Sequence, residues 1–418
     1  MTVFLLENPM RDYAWGSRTH IPKLLGRSPD GRPWAELWMG AHPSAPSRLP
    51  DGTSLQDAIT ADPATLLGPR VQASFGERLP FLMKLLAASE PLSLQVHPTS
   101  ERARIRFAEQ DAAGIPMDAP ERSYPDASHK PELIYALTRF EGMAGFRDPA
   151  KTAVILRGLG LRWLDEVADR IEATPTPFQT LRTVVTEMLG TSGELLRHRL
   201  RELRAAASTA ELRSHSSFAG RRVGTADDPS LVERESVRVY AATAQLVDQY
   251  PGDAGVLVTL LLNHVVLAAG EAMFIDAGVI HAYTSGFGVE IMAASDNVLR
   301  AGLTPKHVDI PELLEVTNFT PIPPPLWAPT HDLGDDEAEA SIFSPPVEEF
   351  ELVLLGVDGE AIGLRSTPQV LLCLDGHVEV SSSTGSVDLS AGASVFVGGS
   401  EDRVTVSGCG RVAVGRTP

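Results

Sequence analysis

The residues best suited to chemistry begin with Gln95 and His97, two apart in the run Leu92-Ser93-Leu94-Gln95-Val96-His97-Pro98. The run reads as a strand, in which residues two apart share a face. Gln95 and His97 then point one way, and Leu94 and Val96 point the other way, into a core. Glu132 follows in His129-Lys130-Pro131-Glu132, and another imidazole stands at His281 after Gly278-Val279-Ile280. Two imidazoles, one carboxylate and one amide oxygen suit Zn²⁺. With no thiolate in the set the ion stays a good Lewis acid, and catalytic zinc sites keep a position open for water or substrate. Spacing alone does not bring the four together; their strand context makes the inside of a barrel the place where they could meet. A charge problem lies nearby. Lys84 interrupts the apolar run Leu79-Pro80-Phe81-Leu82-Met83-Lys84-Leu85-Leu86-Ala87. A buried unpaired charge is costly, so Lys84 calls for a partner or a ligand.

The elements that must position these residues fall into blocks. Residues 1–148 look β-rich, with strands at Ala35–Ala41, Leu79–Ala87 and Pro131–Leu137 and a helix over 99–119 capped by Ser100. Residues 149–249 carry apolar side chains at helical spacing in Thr152–Leu161, Trp163–Ile171, Phe178–Leu189, Gly193–Ala206 and Leu231–Gln249. Asp148-Pro149 starts that block, Asp227-Asp228-Pro229 breaks it, and it reads as an all-helical insertion. Residues 250–320 return to β, with strands expected at Val256–Leu262, Val265–Leu267, Ala272–Ile275, Ile280–Tyr283 and Val289–Ala293, then a helix over 305–316. Pro321-Ile322-Pro323-Pro324-Pro325 reads as a stiff linker. Beyond it, short strands split by Gly, Ser and Asp, such as Gln369–Leu374, His377–Ser381, Arg403–Val406 and Arg411–Val414, suggest a second small barrel. The expected fold is mainly β with an α-helical insertion. Residues 1–148 and 250–320 form one discontinuous barrel, 149–249 the helical part, and 321–418 a barrel without metal ligands.

A formal net charge of −18 over 418 residues argues against nucleic acid or an anionic membrane as partner. Any phosphate on a substrate would need local Lys and Arg against that field. The two cysteines, Cys373 and Cys409, read as free, buried thiols in a reducing compartment. Met1–Glu7 lacks the pattern of a signal peptide, and the apolar run at Val256–Leu262 is too short to span a bilayer. Both point to the cytoplasm.

Leu267 through His281 resembles the second motif of the cupin barrel, a double-stranded jelly roll that commonly holds a metal. Leu389 through Gly399 repeats its first half with no His after it. More widely, the chain resembles the type I phosphomannose isomerases (mannose-6-phosphate isomerases). The resemblance is carried by Tyr13-Ala14-Trp15-Gly16, Glu36-Leu37-Trp38-Met39-Gly40, Pro80–Lys84, Leu92–Pro98 and His129–Glu132. Its longest stretch is Gly278 through Lys306, including Val289–Asn297 and Arg300–Lys306. The resemblance implies zinc held by Gln95, His97, Glu132 and His281. It implies interconversion of mannose 6-phosphate and fructose 6-phosphate, with Arg300 in the active site and Lys130, Glu290, Tyr283 and Lys306 close by. Such an isomerisation moves a proton between C1 and C2 through an enediol. Zinc and Arg300 can supply positive charge to the developing oxyanion. Glu290, Lys130 and a zinc-bound water are the candidates for the base. Lys84 and Ser93 are expected in the phosphate pocket, with Lys306 and Trp15 as further substrate contacts, in a monomer. The rival readings are a cupin metal isomerase or epimerase acting on another phosphosugar, and a non-catalytic barrel that binds sugar phosphate.

Overall fold

The computed structural model describes residues 2–218, 229–330, 340–383 and 385–418. In chain order the strands are β1 (Val3–Leu5), β2 (Met10–Arg11), β3 (Glu36–Met39), β4 (Phe81–Ala88), β5 (Leu94–Val96), β6 (Glu132–Ala136), β7 (Phe140–Phe146), β8 (Leu262–Leu267), β9 (Ala272–Ile275), β10 (His281–Ala293), β11 (Leu299–Gly302) and β12 (Leu326–Trp327). They continue as β13 (Ala340–Phe343), β14 (Glu351–Asp358), β15 (Ile362–Leu364), β16 (Gln369–Ser382), β17 (Gly385–Ser390), β18 (Ser394–Val397) and β19 (Val404–Arg416). The chain is mainly β and its sheets are antiparallel. One sheet runs β12-β9-β6-β10-β4-β3-β2, with β5, β7, β8 and β11 joined through the start of β10; the other runs β1-β18-β16-β19-β14-β13.

β10 ties the first sheet together. Its second half lies between β4 and β6, and its first residue, His281, lies between Gln95 of β5 and Ala144 of β7. A register shift between Tyr283 and Ser285 marks the passage from one neighbour pair to the other. Gly286 follows at φ +130°, where an added Cβ would come within 2.6 Å of the Phe140 ring. Ser285-Gly286 looks like a turn in the sequence, so two strands were expected; the chain bends through it as one strand of 13 residues. β16 and β19 likewise run unbroken where shorter strands were expected.

Alternation sorts the side chains of this sheet onto two faces. Phe81, Met83, Leu85, Leu133, Val289 and Ile291 pack with Phe350, Leu352, Val370, Leu372 and Phe396, so this face meets the second sheet. Lys84 stands directly across from Glu290, and Glu132 across from Met292, which puts all three charged groups on the opposite face. The second sheet keeps a core of its own, with Val353, Leu371, Cys373, Val395 and Val414. Val3 of β1 belongs to that core and pairs with Val397, so β1 leaves the 1–148 block in which it was expected.

The helices are α1 (His20–Leu24), α2 (Leu55–Ala61), α3 (Pro63–Phe75), α4 (Ser100–Ala112), α5 (Pro149–Gly158), α6 (Arg162–Glu172), α7 (Pro177–Leu189), α8 (Gly193–Phe218), α9 (Pro229–Gln249), α10 (Gly255–Thr259) and α11 (Ile310–Val316). Apolar residues of α5 to α11 gather with Leu94 and Val96 of β5 and Leu299 and Ala301 of β11 into one core. The apolar face of β5 is thus clamped against helices. That strand is shorter than read from sequence, Leu94–Val96, because Pro98 offers no N–H to extend it. Further expectations are corrected. The strand expected over 256–262 does not form: Gly255–Thr259 is helical and only Leu262 is extended, as the start of β8, since a short apolar run fits a buried helix as well as a buried strand. The helix after Pro305 begins only at Ile310, where the Asp309 carboxylate accepts the Glu312 N–H at 3.1 Å. Thr99, not Ser100, caps α4, its hydroxyl accepting the Arg102 N–H at 3.3 Å. α8 runs to Phe218, beyond Ala206. Asp227-Asp228 lies outside the described residues. Cys373 is buried, but Cys409 is exposed. Among the described residues no helix is long and apolar enough to cross a membrane.

Candidate active site and metal centre

Glu132 is the hub of the site. Its carboxylate lies 3.2 Å from His97 Nε2 and 3.3 Å from His281 Nε2, and Lys130 Nζ stands 3.0 Å from the same group. The three potential ligands lie within 4.8 Å of one another and are buried. Each strand context supplies one part: β6 begins at Glu132, β10 begins at His281, and His97 follows β5. Gln95 pairs with His281 across the sheet, and its amide nitrogen is 3.3 Å from His281 Nε2. Rotating that amide exchanges nitrogen for oxygen and brings an acceptor to the same point. The structure thus brings together all four residues expected to hold the metal.

Both imidazoles are fixed from behind. His97 Nδ1 donates to the Asn297 carbonyl at 2.8 Å, and His281 Nδ1 to the Val279 carbonyl at 3.0 Å. Protons on Nδ1 leave the Nε2 lone pairs turned toward Glu132, the usual support for a metal-binding histidine. Asn297 is itself anchored: its amide donates to the Ser128 carbonyl at 2.7 Å and to the Asp126 carbonyl at 2.8 Å. His97 Nε2 and Glu132 Oε2 are buried without a hydrogen-bond partner. Buried polar atoms are seldom left so, and a cation among them would satisfy both. The donor set therefore fits a divalent ion such as zinc. Burial, assisted by Lys130 and His281, pushes the His97 pKa down to about 4 against the pull of Glu132. Burial would raise the Glu132 carboxyl, but the neighbouring Lys130, His97 and His281 hold it well below the usual carboxylate range. Neutral imidazole and ionised carboxylate are the states a metal requires.

A second charged group lies on the same face. Lys84 Nζ donates to Glu290 Oε2 at 2.9 Å, both side chains being buried, and stands 5.4 Å from the centre of the Trp38 ring. Burial opposes the charge on Lys84, but Glu290, Glu36 and Glu132 raise its pKa above the ordinary value. Burial pushes the Glu290 carboxyl up, Glu132 and Glu36 add to this, and Lys84 opposes it. Lys84, expected in the phosphate pocket, is thus engaged with Glu290. Tyr283 is buried beside His281 and Phe140 with its hydroxyl unpartnered. Burial, then Glu290 and Glu132, raises it well above the ordinary tyrosine value, so it is a neutral phenol.

Arg300 stands across from Gln95 on β11. Burial lowers its pKa, and burial with Arg300 lowers that of Lys306. Neither side chain has a hydrogen-bonded or ion-paired partner among the described residues. Ser93, half-buried, is without one too, and Trp15 is stacked on Tyr13 with ring centres 5.6 Å apart. Sequence reasoning assigned no role to Glu36, Trp38, His42, Asp126 and Asn297. Glu36 and Trp38 are two apart on β3, with Trp38 opposite Lys84, and the Trp38 indole donates to Glu36 at 2.8 Å. The parity that singled out Gln95 and His97 could have found them. His42 packs edge-on against Trp38, its Nε2 3.5 Å from Asp296.

Fold and site together define a mainly β protein with a buried two-histidine, one-carboxylate metal centre flanked by paired cations. Comparison with known proteins narrows this. Residues 3–149 match the model of the phosphomannose isomerase type I catalytic domain. Mannose-6-phosphate isomerase of Salmonella typhimurium is 38% identical over 98% of both chains. That of Escherichia coli is also 38% identical over 98% of both. The crystal structure of the Salmonella typhimurium enzyme bound to fructose 6-phosphate and zinc has a TM-score of 0.85 at 36% identity, covering 100% of both chains. The chain belongs to the type I phosphomannose isomerase family.

Proposed function

We infer that this chain is a zinc-dependent aldose–ketose isomerase that interconverts mannose 6-phosphate and fructose 6-phosphate. The observation that carries the reading is the buried convergence of His97, Glu132 and His281, with two polar atoms left unpaired among them. These three and Gln95 would hold the zinc, which when bound supplies Lewis-acid charge to the substrate oxygens. The rest falls to the chain. Glu290 is our choice for the base that moves the proton between C1 and C2. Its burial beside a fixed ammonium, with the carboxyl pushed up, supports that role. Lys84 holds and neutralises Glu290. Lys130, 3.0 Å from Glu132, adds positive charge near the developing enediolate. Tyr283 offers a neutral O–H to the same region. Arg300 and Lys306, two neighbouring cations lacking an anion, take the phosphate, with Ser93 alongside. Trp15 with Tyr13 forms an apolar rim for the sugar.

At the level of domains, we read the first sheet as a cupin-type barrel built from 1–148 and 250–320, less β1, with 149–249 as its helical insertion. Residues 321–418 with β1 form the second barrel; β12 is an exception, since Leu326 and Trp327 pair with β9 of the first sheet. A monomer is supported by the second sheet covering the apolar face of the first. The free thiols of Cys373 and Cys409 support a reducing, cytoplasmic location.

The test combines metal removal with substitution. Chelated, metal-free protein should be inactive and regain activity with Zn²⁺; full activity without metal would overturn the reading. With the metal bound, Glu290→Gln should lower kcat by about 10²–10⁴-fold with KM little changed, as expected for loss of a general base.

A further inference from the structure

The seven residues from Arg300 to Lys306 carry the two cations assigned to the phosphate, and the backbone between them is unusual. Leu303 is the one non-glycine residue with positive φ among the described residues, at +54°. A register shift falls between Arg300 and Gly302, and Gly302 itself has φ +141°. Left-handed conformations cost a branched residue about 1–2 kcal/mol and persist where the surroundings enforce them. Asp253 supplies the enforcement from the loop before α10. Its Oδ2 accepts the Thr304 N–H at 3.2 Å, its Oδ1 accepts the Gly255 N–H at 2.7 Å, and the Leu303 N–H faces the same carboxylate. The contact is close on every side. A Cβ on Gly302 would lie 2.6 Å from both Asp253 Oδ1 and Gly255 Cα, and a Cβ on Gly255 would lie 2.7 Å from the Ala301 carbonyl oxygen.

We propose that Asp253 is a positioning residue for substrate binding: its carboxylate pins the left-handed Leu303–Thr304 turn so that Arg300 and Lys306 converge on one phosphate. Two cations side by side repel, and their repulsion would open an unrestrained turn. The carboxylate touches the turn's N–H groups rather than either cation, so its effect passes through backbone geometry. This rests on the reading that Arg300 and Lys306 bind phosphate, and the test separates the two.

Zinc-loaded protein is assayed for KM and kcat with mannose 6-phosphate and for inhibition by inorganic phosphate. Asp253→Asn, which puts an N–H₂ group in place of one acceptor oxygen, should raise KM and the phosphate inhibition constant in parallel by about tenfold, the loss expected for one misplaced charged contact, with kcat changed less than about threefold. Gly302→Ala disrupts the same junction from the other side and should give the same pattern. In a Lys306→Ala background the Asp253→Asn effect should shrink, because residues acting through one contact are non-additive. If Arg300→Ala and Lys306→Ala leave phosphate inhibition unchanged, the phosphate reading fails. If they weaken it while Asp253→Asn and Gly302→Ala do not, or if the Asp253→Asn effect persists undiminished without Lys306, the positioning role is overturned.

Discussion

Wholly buried and held neutral, His97 couples metal binding to folding. Its pKa falls from 6.5 to about 4 on folding, so the unfolded chain takes the proton more readily. A shift of that size corresponds to about 3 kcal/mol of stability in the metal-free protein, present above pH 6.5 and lost as pH falls toward 4. Denaturant melts of chelated protein at pH 7.5 and 4.5 should show that loss, and a His97→Asn variant should show a smaller one. Behind His97, Asn297 offers a second test. Asn297→Ala frees the carbonyl that receives the His97 proton and should weaken zinc binding by about 10–100-fold, measured by competition with a chromogenic chelator. The four residues that converge at the candidate metal centre were legible in the sequence, since each sits in a short motif of distinctive residue types. Asp126, Asn297 and Asp253 were not. Polar loop residues have no periodicity, and their partners lie far away in the chain. Lys84 was recognised as needing a partner, but that the partner was Glu290 depended on strand register.

Among the elements, β10 decides the geometry. It presents His281 to one set of strands and Glu290 to another, and the irregularity from Tyr283 to Gly286 turns it between them. Gly286→Ala would force a Cβ against Phe140 at a positive φ. It should destabilise the fold by about 1–3 kcal/mol and lower kcat, because His281 and Glu290 would lose their relative placement. Thermal melts and turnover measured on the same zinc-loaded sample would check both; an unchanged kcat would mean that the bend does not set the site. This strand also shows where sequence reading stops. Its ends were each recognised from alternation, but the Ser-Gly step between them has the composition of a turn. The helices of 149–249 were legible because their apolar spacing repeats over several turns. The run at Val256–Leu262 was not, because its uniform apolarity carries no period.

At the scale of the whole molecule, the loop leading into β14 of the second sheet touches the segment that leads into β6. His129, three residues before Glu132, meets Glu349 at 2.6 Å, and neighbouring Phe350 is buried in the cluster that includes Leu133. The entry to β14 therefore braces the strand entry that carries Lys130 and Glu132. Glu349→Ala should cost about tenfold in kcat/KM through misplacement of that segment, whereas Glu349→Gln, which keeps an acceptor for His129, should keep most activity. Equal losses in both would point to charge rather than position.

The pairing of Val3 with Val397 has a consequence for how the protein is made. β1 takes its place only once β18, far downstream of it in the chain, has been synthesised. Until then its edge is open, and the apolar face of the first sheet lacks its cover. Nascent chains should therefore depend on chaperone shielding, and stalling translation before Ser394 should leave Val3–Leu5 accessible to proteases.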